Sequence, residues 1–469
     1  MKITNLKLLF LCVIASLWFT LLYAQCNSDS AYAMPLDDVI KDIQNHYGVS
    51  IRYDKKLVAG KVLKYARWRY RPDVNETLSN ILAPFELKVK ADGSAGKYKI
   101  SEYEYYRWPV KEGWAELDRI AAQYKNLQEW EARKQLLKPQ LLTALKLSKL
   151  PQYPLSDPVI TEIRKCNGYT IQNIAIEILP GVWINGSLYK PAKYKGKIPV
   201  ILNPDGHWEQ QRYRPDCQLR CAAFAKMGAM AFSYDLFAWG ESMLQFKYED
   251  HRRSLSQTIQ TLGAIRILDY VLSLPDADKE RVGITGGSGG GSHTVLMTAI
   301  DDRIKVSAPV VSVSSYFYGG CPCESGMPIH FCAGGTDNVE LAAMAAPRPQ
   351  LLVTDGGDWT DKMPEHDFPY LQKIYNWYGK KENVENVHLP NETHDFGINK
   401  RAAVYRFMAG YFGLDLAAIT DKNGNIDESG ITIEPPNKMY VFGDKGEKLP
   451  VRAIKGFDNL EKVFAEAIN

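Results

Sequence analysis

The sequence predicts an α/β protein, a doubly wound and mostly parallel sheet preceded by a small α+β domain. Three observations carry this expectation. Short apolar runs alternate with helical patterns from Ile198 to Tyr411, the texture of strands covered on both faces. A glycine-rich corner, Gly286 to Gly290, stands between one such run and a helical pattern. Ahead of all this, residues 34–103 repeat a helix-then-strand pattern of their own.

In chain order, Lys2 and Lys7 precede an apolar run from Leu8 to Leu22, with small Ala24 at a cleavage-compatible position. Residues 1–24 are therefore expected to be a removed export signal, and the run is short for a membrane span. In the small domain Leu36, Val39, Ile40 and Ile43 recur at helical spacing, and Gly48 stops the helix. Val49, Ile51 and Tyr53 alternate as a strand. A second helix from Asn75 to Leu82 leads to a strand at Leu87 and Val89, a turn at Asp92-Gly93, and a strand at Tyr98 and Ile100. Residues 113–414 form the expected main domain. It opens with a helical stretch from Gly113 to Leu147, which Pro139 should kink or divide. Two alternating strands follow, around Ile171 to Ile176 and Val182 to Leu188, with Asn185-Gly186 as a possible turn.

The covered sheet then reads as Ile198–Leu202, Ala229–Tyr234, Arg281–Thr285, Ile304–Val311, Gln350–Thr354 and Val384–Leu389. Helices are expected at Cys217–Met227, Leu255–Leu274 and Arg401–Tyr411. Residues 415–469 read as a C-terminal extension. Its oxygen-rich run from Asp421 to Glu428 has Gly424 at the wrong place for a calcium loop, so a polar turn into an edge hairpin is expected.

Composition is ordinary for a globular chain of 469 residues, 45% hydrophobic and 24% charged. Fifty-seven basic and 54 acidic residues leave a net charge of +3, which gives no electrostatic reason to expect nucleic-acid binding. With Cys12 lost in the signal, Cys26, Cys166, Cys217, Cys221, Cys321, Cys323 and Cys332 remain. An odd number leaves a thiol over in an oxidising compartment. The pairs Cys217/Cys221 and Cys321/Cys323 lack the spacings of common zinc modules, and Cys321-Pro322-Cys323 cannot easily bridge to itself. Buried thiols or one or two disulfides are expected instead.

The chemistry converges on Gly286-Gly287-Ser288-Gly289-Gly290. A G-x-S-x-G match between a strand and a helix fits a nucleophile elbow, in which glycines clear the space around a serine at a strained corner. It lacks the Lys-Ser/Thr ending of a phosphate loop. Serine needs a base. Among eight histidines, His394 lies after the last expected strand, in Thr393-His394-Asp395-Phe396. An acid should follow the preceding strand, and Asp358 is chosen over Asp361. Oxyanion donors are expected from the amide of Gly289 and from His207 or Trp208 after Gly206. Arg212, Arg214, Arg252 and Arg253 are candidate clamps for a sugar carboxylate. Trp239 and Trp359 are candidates to stack on sugars. The 321–332 segment should loop over the site.

Gly206-His207-Trp208, the segment Asp235 to Ser242, the elbow, Gly357-Asp358-Trp359-Thr360 and Thr393 to Phe396 occur in the order seen in acetylxylan-esterase-like α/β-hydrolases. This part of the chain resembles that family and the wider carbohydrate esterases of the same fold, pectin methylesterases and glucuronoyl esterases among them. Glucuronoyl esterases carry a basic residue directly after the nucleophile. Gly289 stands there, which argues against their substrate. The small domain resembles the secretin and TonB-receptor short N-terminal domain, a docking module of envelope proteins.

The resemblances imply an exported, periplasmic or cell-envelope serine esterase that removes acetyl or methyl groups from polysaccharides such as xylan or pectin. No metal or organic cofactor is implied, and an envelope partner could bind the N-terminal domain. Two other readings compete: a serine peptidase or small-ester hydrolase of the same fold, and a non-catalytic docking protein with a relic hydrolase domain.

Overall fold

Leu36, Val39, Ile40 and Ile43 are all buried on one face of the helix Leu36–Tyr47, which Gly48 ends at φ 65°. This helix belongs to the first of two units in the computed structural model, which divide between residues 105 and 106. The structure describes residues 33–85, 87–102, 107–325 and 327–468. The expected signal and Cys26 lie outside them. In the first unit, a second helix, Val74–Leu82, buries Leu78, Ile81 and Leu82. Both helices cover a three-stranded sheet whose centre is Lys97–Glu102, parallel to Ser50–Arg52 and antiparallel to Leu87–Ala91. The unit has its own apolar core.

The second unit opens with helices Val110–Ala121 and Leu127–Ala144. The expected break at Pro139 lies elsewhere: Pro139 sits within the second helix, and the chain divides before Asn126. There the Asn126 side chain accepts from the Glu129 amide and caps the new helix.

Eight strands build the sheet: β1 Tyr169–Leu179, β2 Val182–Pro191, β3 Ile198–Pro204, β4 Met230–Tyr234, β5 Ala277–Gly287, β6 Val306–Val310, β7 Gln350–Asp355 and β8 Val384–Leu389. Their order is 1-2-4-3-5-6-7-8, and two short strands, Val159–Ile160 and Arg164–Lys165, pair with β1. From β4 to β8 all neighbours run parallel, while β1 and β2 are antiparallel. Asn185-Gly186 is not a turn. Gly186 lies inside β2 opposite Tyr234, and a Cβ there would meet the Ser233 carbonyl oxygen at 2.1 Å, so close strand approach explains the glycine. The turn falls earlier, between β1 and β2, at Gly181 with φ 75°.

Helices Pro215–Met227 and Ile398–Phe412 share one core with Ile201, Val310 and Val353. Helices Ser256–Ser273, Gly289–Ile300 and Asp367–Trp377 share the other with Val200, Leu202 and Ile284. Alternate residues of β3 thus face opposite cores, as a period-2 strand covered on both sides requires. No helix among the described residues is long and apolar enough to cross a membrane.

The tail is less regular than expected. Asp421 accepts the amides of Asn423 and Asn425 in a polar turn, but only one bridge, Thr420 to Ile426, stands where a hairpin was expected. The terminal helix Phe457–Ile468 sends Phe457, Leu460 and Phe464 into the larger core.

His293, on the helix after the serine corner, is fully enclosed, and its Nε2 has no hydrogen-bond partner. Burial pushes its pKa down from 6.5 to about 3. Over that interval the unfolded chain holds a proton that the folded chain does not. This stability is therefore full above about pH 6.5 and is lost as the pH falls toward 3. From about pH 7 to pH 5 the loss is roughly 2 kcal/mol. Urea unfolding of His293→Phe should show about that much less acid destabilisation; equal slopes in both proteins would remove His293 from the account.

Candidate active site

β5 ends at Gly287 and the next helix begins at Gly289, so Ser288 alone makes the corner, at φ 54° and ψ −122°. A non-glycine residue held there costs of order 1–3 kcal/mol and persists only where its surroundings fix it. A Cβ on Gly286 or Gly290 would meet the Pro204 carbonyl oxygen at 2.5 or 2.4 Å, so the end of β3 presses on both glycines and holds the corner.

The loop after β8 carries His394. Its Nε2 lies 2.9 Å from Ser288 Oγ and its Nδ1 lies 2.6 Å from Asp358 Oδ2. Asp358 follows β7, has a side chain 2% exposed, and accepts through Oδ1 from both the Thr360 amide and hydroxyl at 2.6 Å. Asp361 is turned away and accepts instead from the Tyr316 hydroxyl. Nδ1–H pointed at a carboxylate leaves the Nε2 lone pair facing the serine. In that tautomer His394 can take the hydroxyl proton.

The loop after β3 packs on the corner. A Cβ on Gly206 would fall 2.6 Å from the Gly287 carbonyl oxygen and 3.0 Å from Ser288 Cβ. Gly289 opens a helix, where first-turn amides have no intrahelical acceptor. Its amide therefore has no acceptor within its own helix, and the His207 ring packs directly against this residue. The Trp208 ring lies 5.6 Å from that of His394.

A cleft of about 310 Å³ opens over Ser288, walled in part by Trp239, Trp359, Tyr248, Phe317 and Arg252. Trp359 packs on Phe317 and His394 at 4.0 and 4.5 Å and donates through Nε1 to the Ser312 carbonyl. Three of the expected arginine clamps are corrected. Arg212 is fully buried, bonded to Asp235 at 2.6 Å and to Ser187 and the Met439 carbonyl, so it has no donor to offer a ligand in the cleft. Arg214 is held by Asp205 and Asp216 and lies over Trp208, where it braces the β3 loop. Arg253 lies over Phe457 in the C-terminal helix. Only Arg252 of the four lines the cleft.

The same wall holds residues that the sequence did not single out. Glu324 is buried. Burial opposes its ionisation, but His207 and the Gly320 amide outweigh that, and its carboxyl titrates below the ordinary value. His251 is pushed down to about 4, first by burial and then by the neighbouring His207. Cys321 and Cys323 are joined as a disulfide, contrary to the expectation that Cys321-Pro322-Cys323 would not bridge to itself. Cys166, Cys217, Cys221 and Cys332 are outside any disulfide. A lone histidine in the run from Tyr248 to Arg253 has no spacing partner, so its neighbours were not legible from sequence.

The doubly wound sheet with a strained serine at the strand-to-helix corner defines an α/β-hydrolase. Known proteins narrow the class. An acetyl xylan esterase (AXE1) family model matches residues 156–318. The solved methylesterase BT1017 is 49% identical, covering 92% of this chain and 97% of its own, with a TM-score of 0.76. The acetyl esterase Axe7A of Xylanibacter ruminicola is 30% identical over 138 residues, 26% of this chain and 30% of its own length. The chain belongs to the esterase family that includes methylesterase BT1017, and it is a carboxylic ester hydrolase.

Proposed function

We propose that the protein is an exported serine carbohydrate esterase that removes methyl or acetyl groups from a plant-type polysaccharide, with methyl esters of a uronic acid as the first candidate. The observation that carries this reading is the hydrogen-bonded line Ser288–His394–Asp358 at the floor of an aromatic-walled cleft. His394 takes the Ser288 proton as Oγ attacks the ester carbonyl. The Gly289 amide and one from His207 or Trp208 hold the tetrahedral oxygen. His394 then gives its proton to the leaving alcohol, and water attacks the acyl-enzyme through the same base. For a methyl ester the acyl half is the sugar itself and methanol leaves, so the cleft must hold a sugar ring beside Ser288. Trp239 and Trp359 can stack on it and Arg252 can pair with a neighbouring carboxylate. The 49% identity to a methylesterase favours this half of the reading.

The test is methanol and acetate release, measured side by side on methylated pectins and acetylated xylans. Methanol in excess is expected. Acetate in excess would move the assignment to acetyl esters, and release of neither from any glycan, with peptides or small esters cleaved instead, would end it. Export rests on the basic and apolar pattern of residues 1–24; N-terminal sequencing of the protein recovered from the periplasm should begin at Gln25. The N-terminal unit's assignment to docking an envelope partner rests on its helix–strand pattern alone.

A further inference from the structure

Beside Ser288, four donor atoms from three separate loops meet at one point. They are Nε2 of His207, Nε2 of His251, and the sulfurs of Cys321 and Cys323, all within 4.8 Å of one another. His207 comes from the loop after β3, His251 from the turn Tyr248–Arg252, and the cysteines from the segment after β6. The two Nε2 atoms are 2.7 Å apart. Cys323 Sγ is 3.1 Å from His207 Nε2, and Cys321 Sγ is 3.4 and 3.6 Å from the two nitrogens.

The outer hydrogen bonds fix which way the rings face. His251 Nδ1 lies 2.6 Å from the Phe237 carbonyl oxygen, which can only accept, so Nδ1 carries the proton. His207 Nδ1 faces the Glu324 carboxylate at 3.6 Å, which favours the same tautomer. Both Nε2 lone pairs then point at each other, and two lone pairs at that separation repel unless a positive charge lies between them. A carbonyl or carboxylate behind each ring is also the outer arrangement that metal-bound histidines show.

We propose that His207, His251, Cys321 and Cys323 form a tetrahedral site for a zinc-class divalent cation. Two imidazole nitrogens and two cysteine sulfurs are a donor set that zinc takes, at about 2.0–2.1 Å to nitrogen and about 2.3 Å to sulfur. The cation takes the dithiol, not the disulfide seen here, so a dithiol reductant must first pass two electrons and two protons to the Cys321–Cys323 bond and leave as its own disulfide. Each thiol gives up its proton, the cation accepts both sulfur lone pairs, and two protons leave per metal bound. The four donors spread slightly around it, and the sulfurs move apart. Zinc was not expected from the spacings of Cys217/Cys221 and Cys321/Cys323, and the two histidines that complete the set come from segments distant in sequence.

The site is a positioning device for the β3 loop. The His207 ring lies 2.6 and 2.7 Å from where a Cβ on Gly289 would be, so it packs directly on the residue after the nucleophile. A cation that ties His207 to the other two loops holds the amides of residues 207 and 208 against the corner. This consequence, but not the binding itself, rests on the proposed esterase mechanism.

The full-length protein is reduced, exposed to zinc, dialysed against metal-free buffer and analysed for bound metal. About one zinc per chain is expected. Cys321→Ser/Cys323→Ser and, separately, His251→Gln should each lower that content at least about tenfold, with far-UV circular dichroism unchanged. Cobalt in place of zinc should give thiolate charge-transfer absorption in the wild type and none in the serine variant. Ser288→Ala should keep its full zinc, so failure of the esterase reading would leave this one standing. If the double serine variant does not fold, His251→Gln carries the test. Zinc below about a tenth per chain in the reduced wild type would overturn the proposal. Zinc unchanged in the folded variants, or recovery from cells of a metal-free chain two hydrogens lighter than the dithiol, would do the same.

Discussion

Ser288→Ala lowers kcat on a methyl or acetyl ester by about 10⁵-fold or more and leaves the unfolding midpoint within a degree or so of wild type. The two halves of this expectation have separate causes. In the proposed mechanism the Ser288 hydroxyl oxygen attacks the ester carbonyl, and without it only the amides and the cleft remain to favour hydrolysis by water. The fold loses little, because Ser288 Oγ has His394 Nε2 as its side-chain partner and His394 is a quarter exposed. Alanine meets the same left-handed backbone as serine, so the corner's strain is unchanged. Turnover of the glycan ester at near wild-type rate by the folded variant would remove Ser288 from the mechanism. A fluorophosphonate that labels the wild type and not Ser288→Ala separates a working serine from a relic one.

Asp358→Asn should cost about 10⁴-fold in kcat, with Asp361→Asn within a few-fold of wild type. The asparagine amide can donate to His394 Nδ1, which stabilises the tautomer whose proton sits on Nε2 and faces the nucleophile. The imidazolium formed during attack also loses its counter-charge. Asp361 is bonded to Tyr316 and touches neither reacting residue, so its replacement tests whether the effect is local. Because Asp358 also accepts twice from Thr360, thermal unfolding should accompany the kinetics. Equal losses in both variants would mean that the loop as a whole, not the carboxylate behind the imidazole, is at stake.

The parallel strands were legible because burial on both faces leaves continuous apolar runs. The serine corner was legible because glycines crowd where backbone from β3 passes within contact. His394 and Asp358 followed from chain order, since this topology delivers the ends of β7 and β8 to the same edge as β5. What failed was whatever depends on contacts distant in sequence. Arg212 and Arg214 have the same composition as a ligand clamp, and only the positions of Asp235, Asp205 and Asp216 show that their charges are already met. Asn185-Gly186 is a frequent turn dipeptide, and only the neighbouring strand explains why glycine is needed in mid-strand. Pro139 stands inside the helix Leu127–Ala144, and the division falls instead before the Asn126 cap, a junction that no proline marks.

Arg212 gives the last fifty residues a meaning that their irregular outline hides. Its guanidinium reaches the Met439 carbonyl oxygen, while Glu241 beside it accepts the amides of Val441 and Phe442. A buried cation and its counter-ion are thus sealed by backbone from far down the polypeptide. A recombinant version ended at Leu414 would leave that charge pair open to solvent and strip Phe457, Leu460 and Phe464 from the interior. Residues 415–469 are the closing wall of the hydrolase unit, not an appendage to it.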